Sequence, residues 1–511
     1  MVHDPVVTEA VETSESREPR FVLAGQEQRA GASLEAYRGS NGKRPNILVI
    51  LFDDVGWGDF GCYGGGVAVG APTPHIDRLA RRGTLLTSCY SEPSCTPSRA
   101  SLMTGRLPMR HGLLRPPMYG QPGGLDGEVT VAELLSAAGY VTQAVGKWHM
   151  GENRESQPQH VGFDDFYGFL SVSDMYTEWR DPNFFPEIVY SEERTRWVEN
   201  LPFNKCFVHA VRGGDVENVE EVTVPVLSLL DDRWAGYSLE FIRRMADAGS
   251  GGRQPWFLYH CTRGAHFDNY PHERFLGTSP ARHPYKDTIM ELDDIVGRLV
   301  AELEATGQLE DTLIFLSSDN GPEMETWPDA AYSPFRSAKG STWEGGQRVP
   351  GIVAWPGMVA ADRVTDGLFS QMDLFSTFLH LAGAEDSVPG DRFIDGVDQT
   401  SFLLDPDGVS NRKYLYYWLT NVFSALRVGE WKFMVASTSD DDRDCLNLGG
   451  FTGVTQKYSH GRLYNLYLDP KESRSYMIRK LAYIDSFTSG IARHFMTFGR
   501  YPPKRPIAAM S

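Results

Sequence analysis

Asn46-Ile47-Leu48-Val49-Ile50-Leu51-Phe52 is an unbroken apolar run, and it constrains the fold more than any other stretch of the chain. A strand with one wet face alternates polar and apolar residues, whereas a strand that is apolar on both sides is buried on both, as in a parallel sheet covered by helices. Pro255-Trp256-Phe257-Leu258-Tyr259-His260 and Thr312-Leu313-Ile314-Phe315-Leu316-Ser317 repeat the pattern. Between them Ile289, Leu292, Val296, Leu299 and Leu303 recur at three- and four-residue steps and predict a long amphipathic helix. Strands of this type alternating with helices indicate an α/β protein.

Ligands of open α/β sheets collect beyond the carboxyl ends of the strands. Two of the runs end in carboxylates, the first in Asp53-Asp54 and the last in Ser318-Asp319-Asn320. An Asp-rich turn with a capping role is the competing reading of either alone. Together Asp53, Asp54, Asp319 and Asn320 make an all-oxygen set suited to a hard cation. One amide with flexible carboxylates fits calcium better than the strict magnesium octahedron, and zinc would want His or Cys.

A nucleophile position lies between these strands. In Ser94-Cys95-Thr96-Pro97-Ser98-Arg99, Pro97 suits the first helical position, so Cys95 is expected at a helix mouth. The unpaired N–H groups and positive dipole end there favour an anion, and Arg99 one turn on adds a full charge. A buried, inert cysteine is the alternative. Further along, Thr130-Val131-Ala132-Glu133 opens a helix that Gly139 closes, and the strand after it delivers Gly146-Lys147-Trp148-His149. Extended spacing would point Lys147 and His149 into one pocket with Trp148 turned away.

These motifs resemble those of a known family. Cys95-Thr96-Pro97-Ser98-Arg99, continued by Leu102-Met103-Thr104-Gly105-Arg106, is similar to the signature of the type I sulfatases of the alkaline-phosphatase-like superfamily. So are Gly146-Lys147-Trp148-His149 and Lys339-Gly340-Ser341-Thr342-Trp343-Glu344-Gly345-Gly346 with Arg348-Val349-Pro350, and the resemblance runs from about Pro45 to about Lys471. It implies a large mixed, mostly parallel sheet flanked by helices, with a smaller C-terminal antiparallel sheet. It also implies an arylsulfatase-like hydrolase that converts sulfate esters to an alcohol or phenol and inorganic sulfate.

In that family the cysteine matching Cys95 is oxidised by a formylglycine-generating enzyme to 3-oxoalanine (formylglycine), whose hydrate attacks sulfur beside one calcium ion per chain. Arg99 and calcium, with residue 95 itself at the metal, would then stabilise the attacking oxygen, and Lys147 and Lys339 would hold the sulfuryl oxygens. His266 would assist the leaving alcohol, with His272 of Pro271-His272 as the alternative, and His149 would take the proton that lets the covalent intermediate collapse. Ser171 and Ser173 are weaker candidates for a polar contact to sulfate. The same scaffold leaves two other functions open: a phosphonate monoester or phosphodiester hydrolase, or a non-catalytic sulfate-binding homologue with an unmodified cysteine.

The formal net charge of −18 argues against nucleic acid or an anionic membrane as partner and leaves a small sulfate ester as the expected ligand. Cys62, Cys89, Cys95, Cys206, Cys261 and Cys445 form neither a close-spaced disulfide framework nor zinc-type pairs. With no apolar signal segment in residues 1–43, a cytoplasmic location is expected; a homo-oligomer is left open.

The organisation expected is a flexible N-terminal arm over 1–43, a catalytic domain over 44–395, an antiparallel subdomain over 396–480 and a tail over 481–511. Short aromatic runs such as Tyr414-Leu415-Tyr416-Tyr417-Trp418 and Trp431-Lys432-Phe433-Met434-Val435 predict the strands of that subdomain. The long stretch 171–235 is read as shaping the substrate pocket or an oligomer contact, and the tail as bordering the pocket or a contact between copies.

Overall fold

Helices cover both faces of a ten-stranded sheet, as the apolar runs require, in a computed structural model that describes residues 10–39, 42–117, 119–247, 254–323, 331–438 and 455–504. The centre of the sheet is five parallel strands: β1 (Asn46–Phe52), β2 (Val141–Lys147), β3 (Asp165–Phe169), β4 (Trp256–Cys261) and β5 (Thr312–Ser318). Their spatial order is β5-β1-β4-β2-β3. Strands Gly351–Ala354, Thr84–Leu86 and Arg363–Thr365 extend one side, and Cys206–Val211 and Glu217–Glu221 the other, mostly by antiparallel pairing.

The composition of β1 follows from its place. Ile47, Val49 and Leu51 enter one hydrophobic core while Leu48, Ile50 and Phe52 enter the other, so neither face meets water. The expected long helix is Pro284–Ala305, which packs with Leu230–Asp247 on one face. The helix Asp373–Ala382 ends at Gly383, which adopts φ 65°, where glycine escapes the Cβ penalty. Two short strands precede the Cys95 helix, Thr84–Leu86 in the large sheet and Cys89–Tyr90 in a separate three-stranded one.

One expectation about the ends of the chain is corrected. Over residues 10–38 the expected flexible arm is instead a two-stranded ribbon followed by the helix Ala24–Arg38, whose Gln26, Ala30 and Leu34 are buried at four-residue spacing. The Gln26 amide donates to Val409 O (2.9 Å) and Asn411 Oδ1 (3.0 Å), satisfying a polar residue on an otherwise apolar stripe. Leu34→Ala is expected to cost about 3 kcal/mol by cavity formation. A urea midpoint equal to that of the unaltered protein would contradict this docking.

The tail likewise forms a helix, Ile484–Arg500, with Phe487, Gly490, Ile491, His494 and Phe498 on its buried side. It covers the four-stranded antiparallel sheet of Leu415–Leu419, Val422–Val428, Trp431–Thr438 and Thr455–Asn465, with His494 stacked on Tyr416 at 3.9 Å between ring centres. Residues 505 and 506 of the basic tail and Cys445 lie outside the described residues. The other five cysteines are free thiols. No helix among the described residues is long and apolar enough to cross a membrane.

Candidate active site

Register brings the two carboxylate pairs together. β5 pairs Ser318 with Phe52 of β1, so residues 53 and 319 leave the sheet at one level, and Asp319 N donates to Phe52 O (3.0 Å). The turn after β1 is tight: Asp54 has φ 61°, its N donates to Asp319 Oδ1 (3.3 Å), and Val55 N donates to Ser318 Oγ (2.9 Å). A left-handed conformation at a non-glycine residue costs about 1 kcal/mol or more, and such strain collects at functional sites.

Cys95 faces this turn. It opens the helix Cys95–Thr104, its Sγ lies 3.6 Å from Asp53 Oδ1 and 4.0 Å from Asp54 Oδ1, and it is 1% exposed. Because the helix starts at Cys95, Pro97 occupies its third position rather than the first. Proline is tolerated there because that N–H also lacks an intrahelical partner. One ligand atom from each of Asp53, Asp54, Cys95 and Asp319 lies within 4.8 Å of the others.

Three cations oppose the three carboxylates. Arg99 Nε donates to Asp319 Oδ2 (2.9 Å) and its Nη1 to Lys147 O (2.9 Å). Lys147 Nζ donates to Asp53 Oδ2 (2.7 Å) and Lys339 Nζ to Asp54 Oδ2 (2.8 Å). Burial alone would raise the Asp54 carboxyl, but Lys339, His266 and Lys147 outweigh it and hold it at about 2. For Cys95 burial, reinforced by Asp319, pushes the thiol well above its usual value, although Lys147 and Lys339 oppose this. Thiols that act directly as nucleophiles sit where the thiolate is favoured, and Cys95 as a thiol does not.

Asn320 completes the set of oxygens. Its amide nitrogen donates to Asp54 Oδ1 (2.6 Å), while its Oδ1 is buried without a hydrogen-bond partner. An orphaned amide oxygen next to three converging carboxylates is the donor chemistry a hard divalent cation takes, so the residues fit calcium.

Both histidines expected at the site are there. His266 Nε2 lies 3.7 Å from Asp54 Oδ2, and its Nδ1 bonds Phe267 O at 2.5 Å. Burial first, then Lys339, lowers it to about 4, against the opposing pull of Asp54. His272 is drawn away instead: its N donates to Glu291 Oε2 (2.8 Å) on the helix Pro284–Ala305. His149 is buried, neither ring nitrogen has a partner, and burial followed by Lys147 and Arg99 keeps it well below its usual value. It gets there by a different route from the alternation expected of a strand. β2 ends at Lys147 and His149 has φ 56°, with Thr96 Oγ1 donating to its carbonyl (2.6 Å).

Ser171 spends its hydroxyl on Met175 Sδ (2.7 Å), whereas Ser173 Oγ is buried and unpartnered. Sequence reasoning missed Glu323, whose carboxylate lies 3.8 Å from Lys339 Nζ, although it stands only three residues beyond Asn320. It also missed the brace behind Lys339. Gly321 N donates to Gly346 O (2.9 Å), and a Cβ on Gly321 would lie 1.9 Å from Gly345 O, so only glycine allows the two turns to meet.

Lys432, from the C-terminal sheet, donates to Thr342 O (2.7 Å) and pairs with Glu344 (3.1 Å) and Glu472 (2.8 Å) with no exposure. Removing one partner from a buried charge cluster strands the others. Lys432→Met is expected to lower stability by about 3–5 kcal/mol. An unchanged urea midpoint would show that the small sheet does not hold the Lys339 turn.

Comparison with known proteins places the chain in a family. The sequence description of the sulfatase family matches residues 45–384, and that of the putative sulfatase AslA C-terminal domain matches residues 424–498. The N-acetylgalactosamine-6-sulfatase of Canis lupus familiaris is 34% identical over 466 residues, spanning 86% of this chain and 83% of its own. Arylsulfatase A of Homo sapiens is 34% identical over 455 residues, spanning 84% and 82%. The crystal structure of PsFucS1 sulfatase from Pseudoalteromonas sp. superposes with a TM-score of 0.92 at 38% identity, covering 98% of this chain and all of the other.

Proposed function

The chain belongs to the sulfatase family and hydrolyses sulfate esters, and we propose that its substrate is a sulfated saccharide, cleaved with formylglycine made from Cys95 beside one calcium ion. The observation that carries this reading is the convergence of Cys95 with Asp53, Asp54 and Asp319 at one point, faced by Arg99, Lys147 and Lys339. Saccharide is favoured because a relative of similar length acts, by its name, on N-acetylgalactosamine 6-sulfate groups.

Asp53, Asp54, Asp319 and Asn320 would hold calcium, which supplies positive charge against the sulfuryl group. Formylglycine, when hydrated, supplies a hydroxyl oxygen as nucleophile at the mouth of the Cys95–Thr104 helix. The formylglycine-generating enzyme is thus an expected partner during maturation.

The remaining work belongs to the chain's own side chains. Lys147 and Lys339 stand on either carboxylate of the Asp53-Asp54 pair, buried with them, and bind sulfuryl oxygens as fixed positive charges. Arg99, locked on Asp319 and the Lys147 carbonyl, orients that array without moving. His266, its Nδ1 committed to Phe267 O, has Nε2 left for the leaving oxygen. A bound anionic ester offsets the lysine charge that depresses His266 and lets Nε2 carry the proton the alcohol needs. His149, neutral with both ring nitrogens unbonded, accepts a proton in the second half of the reaction.

The test is the mass of the proteolytic peptide carrying residue 95, taken from enzyme that turns over 4-nitrophenyl sulfate. A peptide that has lost its sulfur supports the reading, and a peptide that keeps it in fully active enzyme defeats it. Side-by-side kcat/KM on 4-nitrophenyl sulfate and a phenyl phosphonate ester separates the phosphoryl alternative, which a clear preference for the phosphonate would favour.

A further inference from the structure

Four of the five parallel strand ends build the site described above. The fifth, β3, runs past it, and of the residues that follow only Ser171 and Ser173 have been weighed as contacts to sulfate. Its exit is bonded to the site's own backbone: Trp148 N donates to Phe169 O and His149 N to Leu170 O, both at 3.0 Å. Four residues on, the chain turns at Asp174–Tyr176.

That turn carries polar atoms with nothing to bond. Ser173 is fully buried with its Oγ unpartnered, and Asp174 Oδ1 is shielded from water without a hydrogen bond. The negative charge of Asp174 acts on His266, the group assigned to the leaving oxygen. The loop carrying His266 is tied to the same region through the Tyr270 hydroxyl, which donates to Asp181, and in it Asn269 is 5% exposed with neither amide atom bonded. A buried polar atom without a partner is destabilising, and a ligand that completes its hydrogen bond recovers that cost.

The cations nearby are already committed. Arg180 donates to the carbonyls of Tyr176 and Val222 and pairs with Glu221, Lys205 donates to Leu201 O and Phe203 O, and Arg263 donates to Leu227 O and Tyr270 O. Farther out Glu178, within electrostatic reach of Asp174, accepts the Tyr119 hydroxyl. Beside His266 the chain therefore offers the unpartnered Ser173 and Tyr176 hydroxyls, the Asn269 amide and the negative charge of Asp174, in contrast to the lysine-lined sulfate site.

We propose that Asp174, supported by Ser173 and Asn269, is the specificity-determining residue for the leaving alcohol, accepting a free saccharide hydroxyl next to the scissile ester and excluding a second anionic group there. This rests on the reading of the chain as a saccharide sulfatase. A carboxylate only accepts hydrogen bonds, so a hydroxyl or N–H satisfies it, an aromatic ring does not, and a neighbouring sulfate or carboxylate is repelled.

The experiment compares kcat/KM for 4-nitrophenyl sulfate, a panel of hexose and hexosamine monosulfates, and the disulfate of the preferred sugar. In Asp174→Ala the preference for the best monosulfate over 4-nitrophenyl sulfate is expected to fall by about 30-fold or more, chiefly through KM. In Asp174→Asn, which keeps the shape and removes the charge, the preference for monosulfate over disulfate is expected to fall by about tenfold. Thermal midpoints of both variants separate binding from folding. Equal losses on every substrate, leaving the ratios unchanged, would make Asp174 merely structural and overturn the proposal. A native enzyme that cleaves 4-nitrophenyl sulfate but none of the sugars would overturn it while leaving the sulfatase standing, whereas formylglycine-bearing enzyme inert on all of them would remove the functional reading beneath it.

Discussion

Cys95→Ala is expected to lower kcat for 4-nitrophenyl sulfate by about 10⁴-fold or more while leaving the thermal midpoint close to that of the unaltered protein. The size follows from what alanine removes. Cys95 starts its helix, reaches Asp53 and Asp54, and is the one group at the centre of the cluster able to become a nucleophile. The fold loses little, because the backbone of Cys95–Thr104 is held by Ser98 N donating to Ser94 O (3.0 Å), by Thr96 on the His149 carbonyl and by Arg99 on Asp319. KM changes far less than kcat, since Lys147 and Lys339 remain to bind the sulfuryl oxygens and Arg99 still orients them. A variant retaining more than a hundredth of the activity would mean that attack comes from another group.

Removing calcium is expected to have the second largest effect. Dialysis of the mature enzyme against a calcium-selective chelator should lower kcat/KM by about 10³-fold, and added calcium should restore it. Asp53, Asp54 and Asp319 bring three buried carboxylates together, which cannot all stay charged without compensation. Lys147 and Lys339 supply part of it by bonding Asp53 and Asp54, and the calcium charge would supply the rest. The thermal midpoint should rise with calcium concentration, as for any ligand that binds the folded state alone. Activity and melting indifferent to the chelator would contradict the assignment of the four oxygens.

Much of the site is legible because parallel strands announce themselves twice. The apolar runs at 46–52, 255–260 and 312–317 mark positions buried on both faces, and the residues just beyond them stand at the carboxyl edge where ligands gather. Asp53, Asp54, Asp319 and Asn320 could therefore be grouped before their distances were known. Lys147 and His149 were grouped for a partly mistaken reason, since the left-handed turn at His149 rather than strand alternation places it. Turn conformation of a single non-glycine residue has no signature in composition.

The ends of the chain were illegible for another reason. Gln26 on the buried stripe of the helix Ala24–Arg38 is satisfied by Val409 and Asn411, partners almost four hundred residues away, so its polarity misleads until the tertiary contacts are known. The helix Ile484–Arg500 reads as a basic aromatic tail until the sheet it covers supplies Tyr416 and Trp418 for His494 to rest on. Asp174 falls in a stretch with no periodicity, and what relates it to the site is tertiary: the backbone bonds from residues 148 and 149 to residues 169 and 170 and its charge acting on His266.

The most direct measurement is anomalous difference density in crystals of active enzyme grown with calcium. One peak should lie among the side-chain oxygens of Asp53, Asp54, Asp319 and Asn320, with residue 95 adjoining it. Well-ordered density for those four side chains with no peak between them, or a peak bound elsewhere and away from residue 95, would contradict the account.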